Sequence, residues 1–208
     1  MTGEEIEMSE ITPSQTVGPF FAYGLTPKGR AQWDPNGQYA WKETVSDNLV
    51  TPDATGEKIR IEGRITDGDG APINDAMLEI WQADGQGRYA SPTDTRARPN
   101  TQFKGFGRSA TNKDGEFGFS TVKPGAVSGP NGAAQAPHIV LAIFSRGMLR
   151  QVYTRIYFAD EAANAGDPIL ALVPADRRDT LIAKKQADGV YRFDIRVQGE
   201  NETVFFEV

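Results

Sequence analysis

The chain contains a single histidine, His138, and no cysteine among its 208 residues. Iron, copper and zinc sites in proteins usually take several nitrogen or thiolate ligands. One imidazole without any thiol cannot supply a site with two histidines or a cysteine. If such metal chemistry occurs here, most of the ligands must be tyrosines or carboxylates, or must come from another chain.

Other kinds of reactive site find little support in the residue pattern. No serine has a histidine to activate it other than His138, and no glycine-rich segment has the spacing of a phosphate-binding or dinucleotide-binding loop. Residues 67–70, Asp-Gly-Asp-Gly, slightly resemble a calcium loop. They lack the spacing of oxygen ligands and the distal glutamate of an EF-hand, so we predict a hairpin turn.

The bulk properties favour an ordinary globular protein. A length of 208 residues fits one large domain or two small ones. The net charge of −6 and the pI near 4.9 argue against nucleic acid and anionic membranes as partners. No apolar run approaches the roughly 20 residues of a membrane-spanning helix, and the acidic N-terminus lacks the order of a signal peptide. The absence of cysteine favours a cytoplasmic location.

Short alternating or apolar segments separated by Gly and Pro predict many strands. Ile59, Ile61 and Ile65 fall on one face of an alternating run, and Tyr191 begins another such face that continues through Phe193. The predicted strands are residues 59–65, 76–82, 116–121, 138–144, 152–158 and 190–197. This pattern predicts an all-β fold, an antiparallel β-sandwich with few short helices.

Helical signals are few. Residues 174–185 contain good helix formers with cations near the end, which predicts a helix, and residues 160–165 predict a single turn. Residues 1–58 are poor in pattern, and we predict an extended N-terminal arm that wraps the core or a neighbouring chain. Residues 59–208 are predicted to form the β-sandwich core domain.

Six segments in the same order resemble the intradiol ring-cleavage dioxygenases. The match extends from about residue 12 to the C-terminus. The segments are Thr12-Pro13-Ser14-Gln15-Thr16-Val17-Gly18-Pro19-Phe20, Leu78-Glu79-Ile80-Trp81-Gln82-Ala83-Asp84, Gly87-Arg88-Tyr89, Val122-Lys123-Pro124-Gly125, Ala136-Pro137-His138-Ile139 and Tyr191-Arg192-Phe193-Asp194-Ile195.

The resemblance implies a chemistry that this chain cannot complete. Catalytic chains of the family hold a ferric ion with two tyrosinates and two histidines, because phenolate is a hard donor that stabilises Fe(III). By position, Tyr89 and His138 match one ligand of each kind, while Val127 and Val140 replace the other two. An arginine that the family places near the first histidine falls at Gln135. We therefore assign no catalytic residue and no metal ligand to this chain.

Because it lacks these ligands, the sequence resembles the alpha chains of the family's two-chain enzymes, whose beta chains carry the iron. The resemblance implies a beta-subunit partner, repeated alpha–beta pairs and an Fe(III) ion held by that partner. It also implies that this chain lines the substrate pocket of the beta site through Thr16, Pro19, Phe20 and Arg146. A guanidinium such as that of Arg146 can pair with the carboxylate of an aromatic acid through two hydrogen bonds.

Simpler interpretations remain open for each of these residues. His138 is more typical of a buried structural or relic histidine than of a metal ligand, and Arg146 could be an exposed loop arginine. Thr16 and Pro19 could shape a turn, and Phe20 could pack in an interface. At the level of the whole chain, the alternatives are a stand-alone β-sandwich binding module and a self-sufficient iron enzyme that uses acidic ligands.

Overall fold

The computed structural model describes Leu25 and residues 45–98 and 102–207. Within these residues the regular structure is strands joined by loops and short 3₁₀ turns. The strands are β1 (Lys58–Thr66), β2 (Met77–Trp81), β3 (Phe106–Ala110), β4 (Glu116–Val122), β5 (Val127–Ser128), β6 (Ala134–Gln135), β7 (His138–Phe144), β8 (Val152–Phe158), β9 (Ile182–Ala187), β10 (Val190–Arg192) and β11 (Ile195–Arg196). The 3₁₀ turns are Pro130–Gly132, Ala162–Gly166, Leu170–Leu172 and Arg178–Leu181.

Nine of these strands form one sheet that folds over on itself as a β-sandwich. Its order is β11-β1-β10-β9-β8-β7-β2-β3, and β4 pairs with β1 in addition. Most neighbours run antiparallel, as predicted, but β1 runs parallel to β10 and β11, and β8 runs parallel to β9. The remaining two strands, β5 and β6, form a small hairpin of their own.

The two halves of the sheet enclose one hydrophobic core. Ile61 on β1 and Phe119 on β4 share it with Ile80 on β2 and Leu141 on β7, and all four are fully buried. Burying a side chain of this size contributes about 1.5–3 kcal/mol. Alternate residues of β1 are buried, so the predicted face of this strand is confirmed.

The predicted all-β sandwich is confirmed, and two of its strands have the predicted bounds. β7 is His138–Phe144 and β8 is Val152–Phe158. The predicted turn at residues 160–165 corresponds to the 3₁₀ turn Ala162–Gly166. In the described residues no helix is long and apolar enough to cross a membrane.

The helix predicted over residues 174–185 is wrong. Only Arg178–Leu181 is helical, as a single 3₁₀ turn, and Ile182–Ala187 form β9 instead. This strand lies between β8 and β10 and supplies backbone hydrogen bonds to both. The backbone hydrogen bonds to these two strands stabilise the extended form more than the helix propensity of the residues, only a few tenths of a kcal/mol each, stabilises a helix.

The strand predicted over residues 190–197 is divided into β10 and β11 by a break opposite Gly63. The carbonyl oxygen of Phe193 lies where a side chain on Gly63 would stand, 1.9 Å from an ideal Cβ position. At the break, a carboxylate oxygen of Asp194 accepts the backbone N–H of Arg64 at 2.9 Å. The buried face is nonetheless the predicted one, since Tyr191 and Phe193 are both buried.

Candidate functional site

One face of the sheet, opposite the main core, carries the residues that the sequence singled out. Trp81 on β2, Val140 on β7 and Arg155 on β8 lie side by side in the strand register. His138 and Tyr157 form the pair two residues further along the same face. Because side chains alternate along a strand, Ile139, Leu141 and Ile143 in β7 point the other way, into the core.

The loop after β2 presents Tyr89 to this face. Asp84 is completely buried, and its Oδ1 accepts the backbone N–H groups of Gln86 and Arg88 at 2.9 Å each. Gly87 has a φ of +74°, and a Cβ there would lie 2.0 Å from the carbonyl oxygen of Ala126. The motif residues before Tyr89 therefore fix the loop by hydrogen bonds and close backbone contact.

The Tyr89 ring stacks on Trp81, with ring centroids 6.0 Å apart and planes inclined by 14°. Burial raises the pKa of the Tyr89 phenol, and the positive charge of Arg155 offsets part of this rise. The hydroxyl group therefore stays protonated at neutral pH. A phenol in this state can donate a hydrogen bond.

His138 is buried, with 4% of its surface exposed. Its Nδ1 lies 2.8 Å from the carbonyl oxygen of Ala136, which can only accept, so Nδ1 carries the proton and Nε2 carries the lone pair. Burial lowers the pKa of His138 and outweighs the hydrogen bond to Ala136, which raises it, while smaller effects of Arg155 and Asp167 lower and raise it respectively. The imidazole is therefore neutral at physiological pH.

The β5–β6 hairpin supplies the two other positions of the family's site. Val127 pairs with Gln135 across this hairpin, and Val127 is buried. The side-chain oxygen of Gln135 accepts a hydrogen bond from Nη1 of Arg155 at 2.6 Å. The positive charge that the family places at position 135 is thus supplied by an arginine on β8.

A ferric ion does not fit these residues. Of the four ligand positions, Val127 and Val140 carry only hydrocarbon, which leaves Tyr89 and His138 as donors. These two donors alone cannot hold a trivalent ion tightly. Elsewhere in the described part of the chain, no group of three His, Cys, Asp or Glu side chains could hold a metal.

Arg155, Tyr157 and Asp167 were not identified by sequence reasoning as part of this site. Asp167 is buried and accepts the backbone N–H of Ala136 at 2.7 Å and the hydroxyl of Tyr157 at 3.1 Å, which fixes the segment before His138. Burial raises the pKa of Tyr157 to about 12. Strand alternation was the available signal, because it places residues 155 and 157 on the face of their cross-strand partners.

Arg146 lies away from this cluster, in the turn after β7. Its side chain is 75% exposed, and its Nε lies 2.9 Å from Oδ2 of Asp75. The hydroxyl of Ser145 donates to the other oxygen of Asp75 at 3.1 Å. Asp75 thus anchors one edge of the guanidinium. Thr16, Pro19 and Phe20, the other predicted pocket residues, lie outside the described residues.

The lysine of the Lys-Pro-Gly segment has a structural role. Nζ of Lys123 lies 3.0 Å from Oδ1 of Asp160 and 2.7 Å from Oε1 of Glu161. Oδ2 of Asp160 also accepts hydrogen bonds from Tyr191 at 2.8 Å and Lys185 at 3.2 Å. Burial alone would raise the pKa of Asp160, but the hydrogen bonds from these three partners outweigh it and lower the pKa to about 2.

We expect Asp160→Asn to lower the free energy of unfolding by about 1–2 kcal/mol at pH 7, since the pair is partly solvent-screened. The folded pKa of about 2 lies below the ordinary 3.8, so the contribution is present above pH 3.8 and is lost as the pH falls towards 2. Denaturant unfolding at pH 7 and pH 2.5 checks this. The difference between wild type and variant should shrink at the lower pH, whereas exposed Asp176→Asn should change little at either pH. A constant difference would contradict the assignment.

Comparison with known proteins identifies relatives of the whole chain. A family model described as "Dioxygenase" matches residues 32–199. The chain is 47% identical to the protocatechuate 3,4-dioxygenase alpha chain of Burkholderia cepacia over 206 residues, which cover 95% of this chain and 97% of that one. It is 34% identical to the protocatechuate 3,4-dioxygenase beta chain of Burkholderia cepacia over 158 residues, which cover 71% and 67% of the two chains.

Among solved structures, the dioxygenase domain of a carbohydrate-binding fusion protein from Streptomyces sp. SirexAA-E shares the fold. The TM-score is 0.56 at 23% identity, and the match covers 76% of this chain and 92% of that chain. At this level of identity the likeness concerns the fold alone.

Proposed function

This chain belongs to the intradiol ring-cleavage dioxygenase family, and we propose that it is the alpha subunit of a protocatechuate 3,4-dioxygenase. The complete enzyme cleaves the ring of protocatechuate with dioxygen between its two hydroxyl-bearing carbons and yields 3-carboxy-cis,cis-muconate. Alpha and beta chains form the complex as repeated pairs. Similarity to an alpha chain over nearly the whole length, and to a beta chain over most of it, supports this arrangement.

One observation carries the division of labour between the two chains. Hydrocarbon side chains stand at Val127 and Val140, so only Tyr89 and His138 of the four ligand positions carry a donor atom. This site cannot hold the ferric ion that the family's chemistry uses. The reactive centre therefore belongs to the beta subunit, and this chain acts on the substrate without touching the metal.

The contribution of this chain is to bind the substrate. Thr16, Pro19 and Phe20 would pack against the planar ring, and Arg146 would pair with the carboxylate. The geometry of Arg146 supports its part, because the side chain is 75% exposed and the contact with Asp75 is made by Nε, while the guanidinium also carries two terminal nitrogens. These nitrogens match the spacing of a carboxylate's oxygens.

The first 58 residues form the surface that contacts the partner in this proposal. Within them, residues 45–57 already touch the core, since Leu49 is buried and its backbone N–H donates to the carbonyl of Ser120 at 2.8 Å. A cytoplasmic location completes the proposal and rests on the cysteine-free composition.

Producing the chain with and without a beta chain tests the proposal. We expect the chain alone to contain no stoichiometric iron and to consume no oxygen with protocatechuate. Co-production should give a complex with one ferric ion per alpha–beta pair and with turnover, measured by metal analysis and an oxygen electrode. A chain that turns over protocatechuate without a partner would contradict the proposal, and a stable, inactive monomer that ignores the beta chain would favour a stand-alone binding module.

A further inference from the structure

An open cleft with three arginines lies on the outer face of β1, β10 and β11. Buried and part-exposed residues alternate along these strands, so the side chains of Arg64, Arg192 and Arg196 lie on the face that points away from the main core. The cleft has a volume of about 410 Å³ and shares no lining residue with the candidate site described above.

Positive charge dominates this cleft in a protein whose net charge is −6. Among the described residues that line it, Asp194 supplies the single carboxylate, so three arginines and one aspartate give a formal charge of +2. Nη2 of Arg192 lies 2.6 Å from Oδ1 of Asp194, which pairs one of the three arginines. Arg64 and Arg196 form no ion pair within the part of the chain that the structure describes.

Backbone carbonyl groups hold these two unpaired arginines in place. Nε of Arg64 donates to the carbonyl oxygen of Asp114 at 2.8 Å. Nη2 of Arg196 donates to the carbonyl oxygen of Gly68, and its Nε lies 3.4 Å from that of Gln198. A carbonyl oxygen orients a guanidinium but does not neutralise its charge. Both terminal nitrogens of Arg64 and Nη1 of Arg196 have no hydrogen-bond partner among the described residues and can therefore donate to a ligand.

The carboxylates next to the cleft are engaged by other groups. Glu116 on β4 lies opposite Arg64 in the strand register, but its Oε2 accepts a hydrogen bond from Nδ2 of Asn112 at 2.9 Å. Glu62 on β1 forms its own ion pair with Arg60 at 2.6 Å. Neither of these two glutamates lines the cleft or forms an ion pair with its arginines, so the positive charge remains available to a ligand.

We propose that this cleft binds a small anion with two or more negative charges, of the carboxylate or phosphate class. The guanidinium groups of Arg64 and Arg196 bind its oxygen atoms, because the fork of donors on a guanidinium matches both carboxylate and phosphate. The hydroxyl of Thr66 and the side-chain amide of Asn201 also line the cleft and are neutral donors for further oxygen atoms.

The charge and size of the cleft set the kind of anion. A single exposed ion pair contributes little in water, so an anion has to engage two guanidinium groups at once to bind well. A formal charge of +2 is balanced by an anion with at least two charges. The volume of about 410 Å³ lies within the range of small-molecule sites, roughly 300–1,000 Å³.

Calorimetric titration of the purified protein, together with any chain that accompanies it, tests this site. The probes are inorganic phosphate and propane-1,2,3-tricarboxylate, with acetate at the same ionic strength as the monovalent comparison. Arg64→Gln and Arg196→Gln each remove one guanidinium from the cleft. Arg150→Gln is the matched control, because it removes the same charge from an exposed position outside the cleft. Cooperative melting of each variant shows that it is folded.

We expect wild type to bind at least one of the two multivalent probes about 10-fold or more tightly than acetate. Arg64→Gln and Arg196→Gln should each weaken that binding about 10-fold or more, which is the usual effect of losing one charge-assisted hydrogen bond. Arg150→Gln should change it by less than about twofold. The probe that binds more tightly identifies the chemical class that the cleft takes.

Three outcomes would overturn the proposal. One is a wild-type protein that binds neither multivalent probe more tightly than acetate. Another is an equal loss of affinity in Arg150→Gln, which would mean that only the net charge of the protein matters. The third is a folded Arg64→Gln variant with wild-type affinity. This variant decides alone if Arg196→Gln does not fold, since Arg196 also holds the turn at Gly68.

Discussion

Replacing Arg146 with alanine in the alpha–beta complex should raise KM for protocatechuate roughly 10- to 150-fold and leave the iron content unchanged. The factor corresponds to one or more charge-assisted hydrogen bonds of about 1.5–3 kcal/mol in total. The Nε of Arg146 lies 2.9 Å from Oδ2 of Asp75, and a guanidinium can bind a carboxylate through its terminal nitrogens. Because it would bind substrate and transition state alike, kcat should change little. Steady-state kinetics with metal analysis measures both parameters.

Arg150 provides the matched control, since it is also an exposed arginine and lies four residues further along the same turn. Arg150→Ala removes the same net charge and should leave KM within about twofold. Catechol, which lacks the carboxylate, should bind wild type and Arg146→Ala equally. Unaltered kinetics with protocatechuate would remove Arg146 from the pocket. If Arg146→Ala and Arg150→Ala raised KM equally, Arg146 would contribute only through the positive charge of this turn and not through a specific contact with the substrate.

Gly63→Ala should destabilise the fold by about 3 kcal/mol or more, because a methyl group at this position has no room. Its Cβ would lie 1.9 Å from the carbonyl oxygen of Phe193 and 2.6 Å from the ring of Phe117. Relieving this clash requires the backbone of β1 to move away from the segment between β10 and β11, and the Phe117 ring to shift, which is a costly form of overpacking. For a chain of this size, the melting temperature should fall by roughly 6–12 °C.

Gly166→Ala is the corresponding control, because no atom lies within 4 Å of an ideal Cβ there. We expect it to change the free energy of unfolding by less than about 0.5 kcal/mol. Thermal unfolding followed by circular dichroism compares the two variants with wild type. A Gly63→Ala protein that melts at the wild-type temperature would show that the backbone at Phe193 yields easily.

Local patterns predicted the elements whose environment they determine. β7 and β8 have the predicted bounds because their apolar and alternating residues favour a buried strand whichever strands lie beside them. Ile182–Ala187 were predicted as helix, since nothing local shows that β8 and β10 leave a gap between them. The break at Phe193 was equally inaccessible, because it depends on the approach of Gly63 from a strand 130 residues away.

The candidate site was predicted where it depends on residue identity and missed where it depends on pairing. The absence of two ligands could be read directly from Val127 and Val140, and the family assignment that supports this reading is confirmed. The place of Arg155 depends on its register against Val140, which sequence alone does not supply. The contact between Arg146 and Asp75 joins residues 71 positions apart and was likewise not predicted. The pocket roles of Thr16, Pro19, Phe20 and Arg146 stay predictions.

The loop that presents Tyr89 has an evolutionary consequence. Its shape depends on Asp84, on its own backbone and on the close fit of Gly87 to Ala126. After a gene duplication, a copy with such a loop can lose its metal-binding side chains one by one while its product still folds. One chain can then specialise in catalysis and the other in binding the substrate. This needs no new fold, only relaxed selection at a few positions of one copy.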